Sequence, residues 1–73
     1  MAKMTKLQRS QKAHVRLNKL YANLGNTAKN RALGNYHAEC IERQNRSRRV
    51  LSKQERRKLF AWWCKDEGYN PHK

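Results

Sequence analysis

Punctuation is what most limits this chain. Its single proline, Pro71, falls in the last three residues, and its glycines are Gly25, Gly34 and Gly68. These are the residues that end helices: proline lacks an N–H and clashes with the preceding turn, and glycine loses the most backbone entropy. The long stretches between them are free to be helical, and no alternating apolar pattern competes as strand. The expectation is an all-α fold, a small three-helix domain with helices at about residues 6–24, 27–49 and 52–67 and a frayed tail from Tyr69 to Lys73.

Apolar spacing supports these boundaries. In the first segment Leu7, Ala13, Leu17, Leu20, Tyr21 and Leu24 recur at helical intervals, with His14 on the same side. Gly25 can take the positive φ of a helix stop, and Asn26 or Thr27 can cap a second helix. In the second segment Ala32, Leu33, Tyr36, His37, Cys40, Ile41 and Gln44 share a side. Glu39/Arg43 and Glu42/Arg46 are acid-first i,i+4 pairs, each worth about 0.2–0.5 kcal/mol. Gly34 costs about 1 kcal/mol against Ala inside a helix, so it either admits a close neighbour or marks a break after Leu33. Ser52-Lys53-Gln54-Glu55 has the pattern of a capping box opening the third helix, which carries Leu59, Phe60, Trp62, Trp63 and Cys64. The two tryptophans point about 100° apart. Trp63 shares the i,i+4 line with Leu59 and is expected inside, which leaves Trp62 as the possible contact aromatic.

Charge then narrows the function. A chain of 73 residues buries only about 60% of the surface its unfolded form exposes, too little for a deep catalytic pocket. On that thin core sit 18 Lys+Arg against 5 Asp+Glu, a formal charge of +13. Residues 1–31 contain eight Lys/Arg and no acid. Such density repels itself and makes best sense beside a polyanion, of which nucleic acid is the commonest.

Two constellations stand out. On the first helix Arg9, Lys12, Arg16 and Lys19 fall within an arc of about 80°, adjacent to the apolar stripe, where a phosphate backbone could run. A solvated face normally mixes signs, and this one does not. The second constellation is Arg43, Gln44, Asn45, Arg46, Arg48 and Arg49, followed by Lys53, Arg56, Arg57 and Lys58. Four arginines and no lysine between 43 and 49 favour bidentate contacts to phosphate or guanine, and Gln44 and Asn45 add amides able to read adenine.

The stretch from Arg46 to Trp62, with its arginines preceding an aromatic, resembles the arginine-rich helices by which lambdoid phage antiterminators grip an RNA hairpin, although in that family the basic run is more continuous and nearer the N-terminus. Gln44-Asn45-Arg46 also resembles the start of the homeodomain recognition helix. There, Glu42-Arg43 replaces the Trp-Phe pair that anchors the family's motif in its core. Each likeness covers under a quarter of the chain, and neither family is assigned.

Other chemistries find less support. Cys40 and Cys64 form no Cys-x-x-Cys pair and are expected as free thiols in a reducing, cytoplasmic setting. His37, Cys40, Cys64 and His72 have poor zinc spacing, so no metal or cofactor is expected. The acids Glu39, Glu42, Glu55, Asp66 and Glu67 form no carboxylate pair with an accompanying His, and no enzyme is expected. No run approaches the ~18 apolar residues of a membrane span. The expected function is a small basic nucleic-acid-binding protein, for RNA or DNA, serving as a regulator or accessory component of a transcription or translation complex. The alternative is a modulator that docks on an acidic surface of a large machine such as RNA polymerase or a nuclease.

Overall fold

The computed structural model describes residues 4–72 of the chain. Three helices form, α1 (Lys6–Asn23), α2 (Ala28–Ser47) and α3 (Lys53–Glu67), and no strand occurs among the described residues. Each helix starts on a side-chain cap. Thr5 and Gln8 close a capping box on α1, the Thr27 hydroxyl accepts from the Asn30 N–H on α2, and Ser52 and Glu55 close the expected box on α3. Gly25, at φ 125°, turns the chain out of α1. Helix α2 ends at Ser47, two residues short of the expected boundary, because Arg48 swings into the left-handed region at φ 56°. Past α3 the chain is tied back by the Tyr69 N–H, which donates to the Cys64 carbonyl at 2.8 Å. Lys73, part of the expected frayed tail, lies outside the described residues.

Helix α2 is the axis: among the described residues, α1 and α3 each pack on it and not on each other. It runs unbroken through Gly34, so of the two roles open to that glycine the close approach is the one realised. The Gly34 carbonyl accepts from Asn18 Nδ2 at 2.8 Å, and Tyr21 Cβ stands 3.8 Å from where a side chain would begin.

The seam between α1 and α2 is polar. Successive contacts pair Ser10 with Gln44, Gln11 with Ile41, His14 with His37 and Asn18 with Gly34, an antiparallel register. Gln44 has no exposed surface. Its Oε1 accepts from Ser10 Oγ and from the Leu51 N–H, each at 3.1 Å, and its Nε2 donates to Gln11 Oε1 at 2.9 Å. Gln11 in turn donates to the Ile41 carbonyl at 3.1 Å. One amide therefore ties α1, α2 and the α2–α3 loop together. This corrects the assignment of Gln44 as an adenine reader: an amide with no exposed surface and three of its four hydrogen bonds made inside the fold is out of reach of a base.

The polar seam also corrects the expected stripe of α1. Ser10, Gln11 and Asn18 turn inward, while Leu20 and Leu24 are 48% and 59% exposed. The apolar core lies on the other side of α2, where Cys40, Leu51 and Leu59 are buried with Tyr36 packed against them. Phe60 meets Tyr36 edge-on at 5.5 Å between ring centroids. Trp63 reaches only the edge of this cluster, half-buried, its indole N–H donating to Glu39 Oε1 at 3.1 Å. Both cysteines are free and buried, and burial pushes both thiols up.

Two outcomes are expected for stability. Gln44→Ala removes the partner of three groups and leaves a cavity, and should cost about 3 kcal/mol in chemical denaturation, whereas Asn45→Ala, at the exposed neighbouring position, should change stability by less than about 0.5 kcal/mol. Similar losses from both would contradict the seam.

The second outcome concerns the His14–His37 pair, whose Nδ1 atoms lie 2.8 Å apart, so that one ring donates to the lone pair of the other. Burial, with the Arg56 guanidinium adding to it, lowers His14, and burial with His14 alongside lowers His37 to about 4. The unfolded chain takes up protons on these rings below about pH 6.5, which the folded state refuses until lower pH. Stability should be complete above pH 6.5 and fall as pH drops toward 4, by about 1.4 kcal/mol per pH unit for each proton taken up. Urea midpoints that stay level between pH 6.5 and 5 would show that the rings are not held neutral.

Candidate nucleic-acid interface

The expected contact residues do not gather on one surface. On α1, Arg9, Lys12, Arg16 and Lys19 are all exposed, and together with Val15 they line a shallow face. Because Ser10, Gln11, His14 and Asn18 point to α2, these cations lie opposite the packed side and not beside it. From Arg9 to Lys19 the ridge runs about 15 Å along the helix. Among the described residues none of the four finds an ion-pair partner, and α1 carries no acid.

The arginine cluster at the end of α2 is divided by helix periodicity. Asn45 and Arg48 sit with Leu7, Gln8 and Gln11 in a shallow depression. Arg43, Arg46 and Arg49 face the α3 side, in a depression shared with Leu51 and Glu55. There each arginine has a carboxylate: Arg43 on Glu39 and Arg46 on Glu42, both at 2.7 Å and both the expected i,i+4 pairs, and Arg49 on Glu55 at 3.0 Å. The Glu55 carboxyl is held at about 2 by the hydrogen bonds from Arg49, with the Ser52 cap adding to them. The Arg49 guanidinium is raised by the same contact.

On α3 the basic run is divided as well. Lys53, Arg57 and Lys58 are exposed, but Arg56 is half-buried, with Nε enclosed and without a hydrogen-bond partner among the described residues. Its spacing explains this: Arg56, Leu59, Phe60 and Trp63 recur at i, i+3, i+4 and i+7, the inward side of the helix. Its guanidinium lies close enough to act on His14, Tyr36 and Cys40, and burial raises Tyr36 to about 12. Trp62, by contrast, is 56% exposed, as its position off that line requires. The run from Arg46 to Trp62 is thus two helices and a loop, unlike the continuous basic helix of the antiterminator likeness.

Apolar spacing and charge runs missed two features. The Thr5-x-x-Gln8 box was legible as a capping signature, whereas the left-handed Arg48 has no sequence signal. No protein-family model matches the chain, and neither a curated protein nor a solved structure matches it, so the interface rests on its own geometry.

Arg48 is the described non-glycine residue with positive φ, at a helix stop where glycine is preferred. Left-handed backbone costs an L-residue about 1 kcal/mol. Arg48→Gly should therefore raise the denaturation midpoint, by about 1 kcal/mol in stability. A variant that is less stable than the parent would show that the Arg48 side chain is structural.

Proposed function

We propose that the chain is a small nucleic-acid-binding protein, an accessory component of a transcription or translation complex that acts by docking without catalysis. The observation that carries this reading is the acid-free ridge Arg9, Lys12, Arg16 and Lys19, exposed and unpaired among the described residues while all four glutamates of the chain are engaged with other arginines. Ion-paired charge neutralises itself locally. Unpaired charge of one sign projects a field that a phosphate backbone relieves, releasing its counterions. At about 3.4 Å per nucleotide, the ridge spans roughly four phosphates of one strand. Asn45 and Arg48 lie apart from the ridge, in the depression with Leu7, Gln8 and Gln11.

A second reading has its own support. Val15 and Leu20 on α1 and Leu24 at its C-terminal cap are exposed, at 39%, 48% and 59%. An acidic protein surface with apolar residues at its centre would cover both these residues and the ridge. A stoichiometric protein retained from nuclease-treated extract would favour that reading over the first.

No helix among the described residues is long and apolar enough to cross a membrane, and no three of His, Cys, Asp and Glu among them come together as a metal site.

The test is salt. With about six phosphates neutralised, log K for duplex DNA should fall against log salt with a slope near −5. Replacing Arg9, Lys12, Arg16 and Lys19 together by Gln should make the slope shallower by about 3 to 4 units and leave the helical circular dichroism intact. A wild-type slope near zero would overturn the electrostatic mechanism, and an unchanged slope in the variant would move the contact off α1.

A further inference from the structure

Between α2 and α3 lies a groove of about 390 Å³, within the roughly 300–1,000 Å³ of pockets that take small ligands. Its floor is apolar, made by Leu51 and Leu59, which are 4% and 9% exposed. One side is the indole of Trp62, braced edge-on by Trp63 with ring centroids 4.8 Å apart. The polar lining is two carboxylates, Glu39 and Glu55, with the exposed cations Arg43 and Lys58 beside them.

Chemistry narrows the occupant. Glu39 Oε1 accepts from the Trp63 indole and Oε2 from Arg43, so each oxygen keeps a lone pair. The two acids and two bases of the lining cancel, and Arg43 is already paired with Glu39, so a phosphate or carboxylate entering here finds no net positive charge to hold it. A flat, neutral ring suits the groove better, with its face on Trp62 and N–H groups on its edge. Next to the groove the requirement reverses. A smaller depression of about 220 Å³ shares Arg43, Leu51 and Glu55 with it and continues to Arg46 and Arg49. A slot for a neutral ring that opens into an arginine-lined trough matches a nucleotide, base inside and phosphate outside. Bases in a duplex are paired and stacked and cannot enter such a slot, whereas those of a single strand can.

Resting on the nucleic-acid reading above, we infer that the α2–α3 groove holds one unstacked guanine of a single-stranded nucleic acid, stacked on Trp62, with Glu39 accepting from its pairing edge. Guanine is the base whose edge presents two adjacent donors, the ring N1–H and the 2-amino group, and a carboxylate with one free lone pair per oxygen accepts both. Adenine and cytosine offer an amino group next to an acceptor nitrogen, and uracil a single N–H between two carbonyls. Stacking alone would accept any of the four; the paired acceptors select.

The experiment compares three probes on the full chain: a short oligouridine with one central guanosine, the same strand with inosine, which lacks only the 2-amino group, and a duplex DNA. Guanosine should bind more tightly than inosine by roughly tenfold or more, the loss expected for one charge-assisted hydrogen bond. Trp62→Ala should weaken the guanosine strand by roughly 5- to 150-fold, with duplex binding and melting temperature unchanged, and Trp62→Phe should recover most of the loss. Deoxy versions of the strands show whether the 2′-hydroxyl is read as well. Equal affinities for guanosine and inosine, or a Trp62→Ala variant that binds the guanosine strand like wild type, overturn the base site; in either case salt-dependent duplex binding leaves the broader reading standing. No salt-dependent binding to any probe overturns both.

Discussion

The Gln44 amide is the point on which the fold depends, because one buried side chain ties α1, α2 and the α2–α3 loop together. Burying a primary amide is costly unless its hydrogen bonds are made, and here Ser10, Gln11 and the Leu51 backbone make them. The same rule holds along the whole α1–α2 seam, from Gln44 through the His14–His37 pair to Asn18 on the Gly34 carbonyl. A leucine seam would supply more transfer free energy but tolerate sliding. A hydrogen-bonded seam does not, since a one-turn slip leaves several buried groups unpaired at about 1–3 kcal/mol each. In a chain this short, specificity of register comes from polar contacts and the modest apolar core is reserved for the α3 side.

That division assigns the faces of α2 and, through them, the surface. One side of α2 meets α1 through polar residues, a second meets α3 through Tyr36 and Cys40, and the remainder, with Ala38 and Glu42, faces solvent. Because α1 docks by its polar side, its cations are turned away from the bundle and its leucines near Gly25 are left uncovered. Because α1 and α3 do not pack together, Arg56 reaches the space between them, where its charge helps keep His14 neutral. The surface chemistry is therefore a consequence of how the seam is built.

Much of the fold was legible because the chain punctuates itself. Three helices, the Ser52 box and the acid-first pairs of α2 all come from local rules that tertiary packing did not override. The facing of α1 was not legible, since periodicity counts apolar residues and the docking side is rich in Ser, Gln and Asn. For the candidate site, adjacency in sequence was a poor guide where helical spacing disagreed with it. Gln44 lies in the arginine cluster by adjacency and on the inner side of α2 by spacing. Arg56 sits beside Arg57 and Lys58 but on the Leu59–Trp63 line. In both cases spacing decided. Trp62 and Trp63 were separable by the same argument, although Trp63 went only to the edge of the core, where Glu39 supplies the partner its indole N–H needs.

Ion pairing does not remove all of the α2 arginines from use, and the geometry ranks them. Arg46 holds an exposed i,i+4 partner and Arg43 a half-buried one; such exposed pairs are worth only about 0.3–0.5 kcal/mol, so a backbone phosphate, singly charged like the carboxylate, could exchange for Glu42 at little cost. Arg49 is different. Two of its nitrogens reach the two oxygens of Glu55, and that carboxylate also accepts from the Ser52 N–H at the start of α3, so withdrawing Arg49 loosens a helix cap. Arg48 pairs with no carboxylate among the described residues and is held in a backbone conformation that disfavours its side chain. Under the proposed reading, a cation whose backbone costs stability and that contributes no ion pair to the described fold is the one freest to meet a phosphate. On the nucleic-acid reading proposed above, recruitment by a polyanion would begin at Arg48 and the α1 ridge, extend to Arg46 and Arg43 by exchange, and reach Arg49 last.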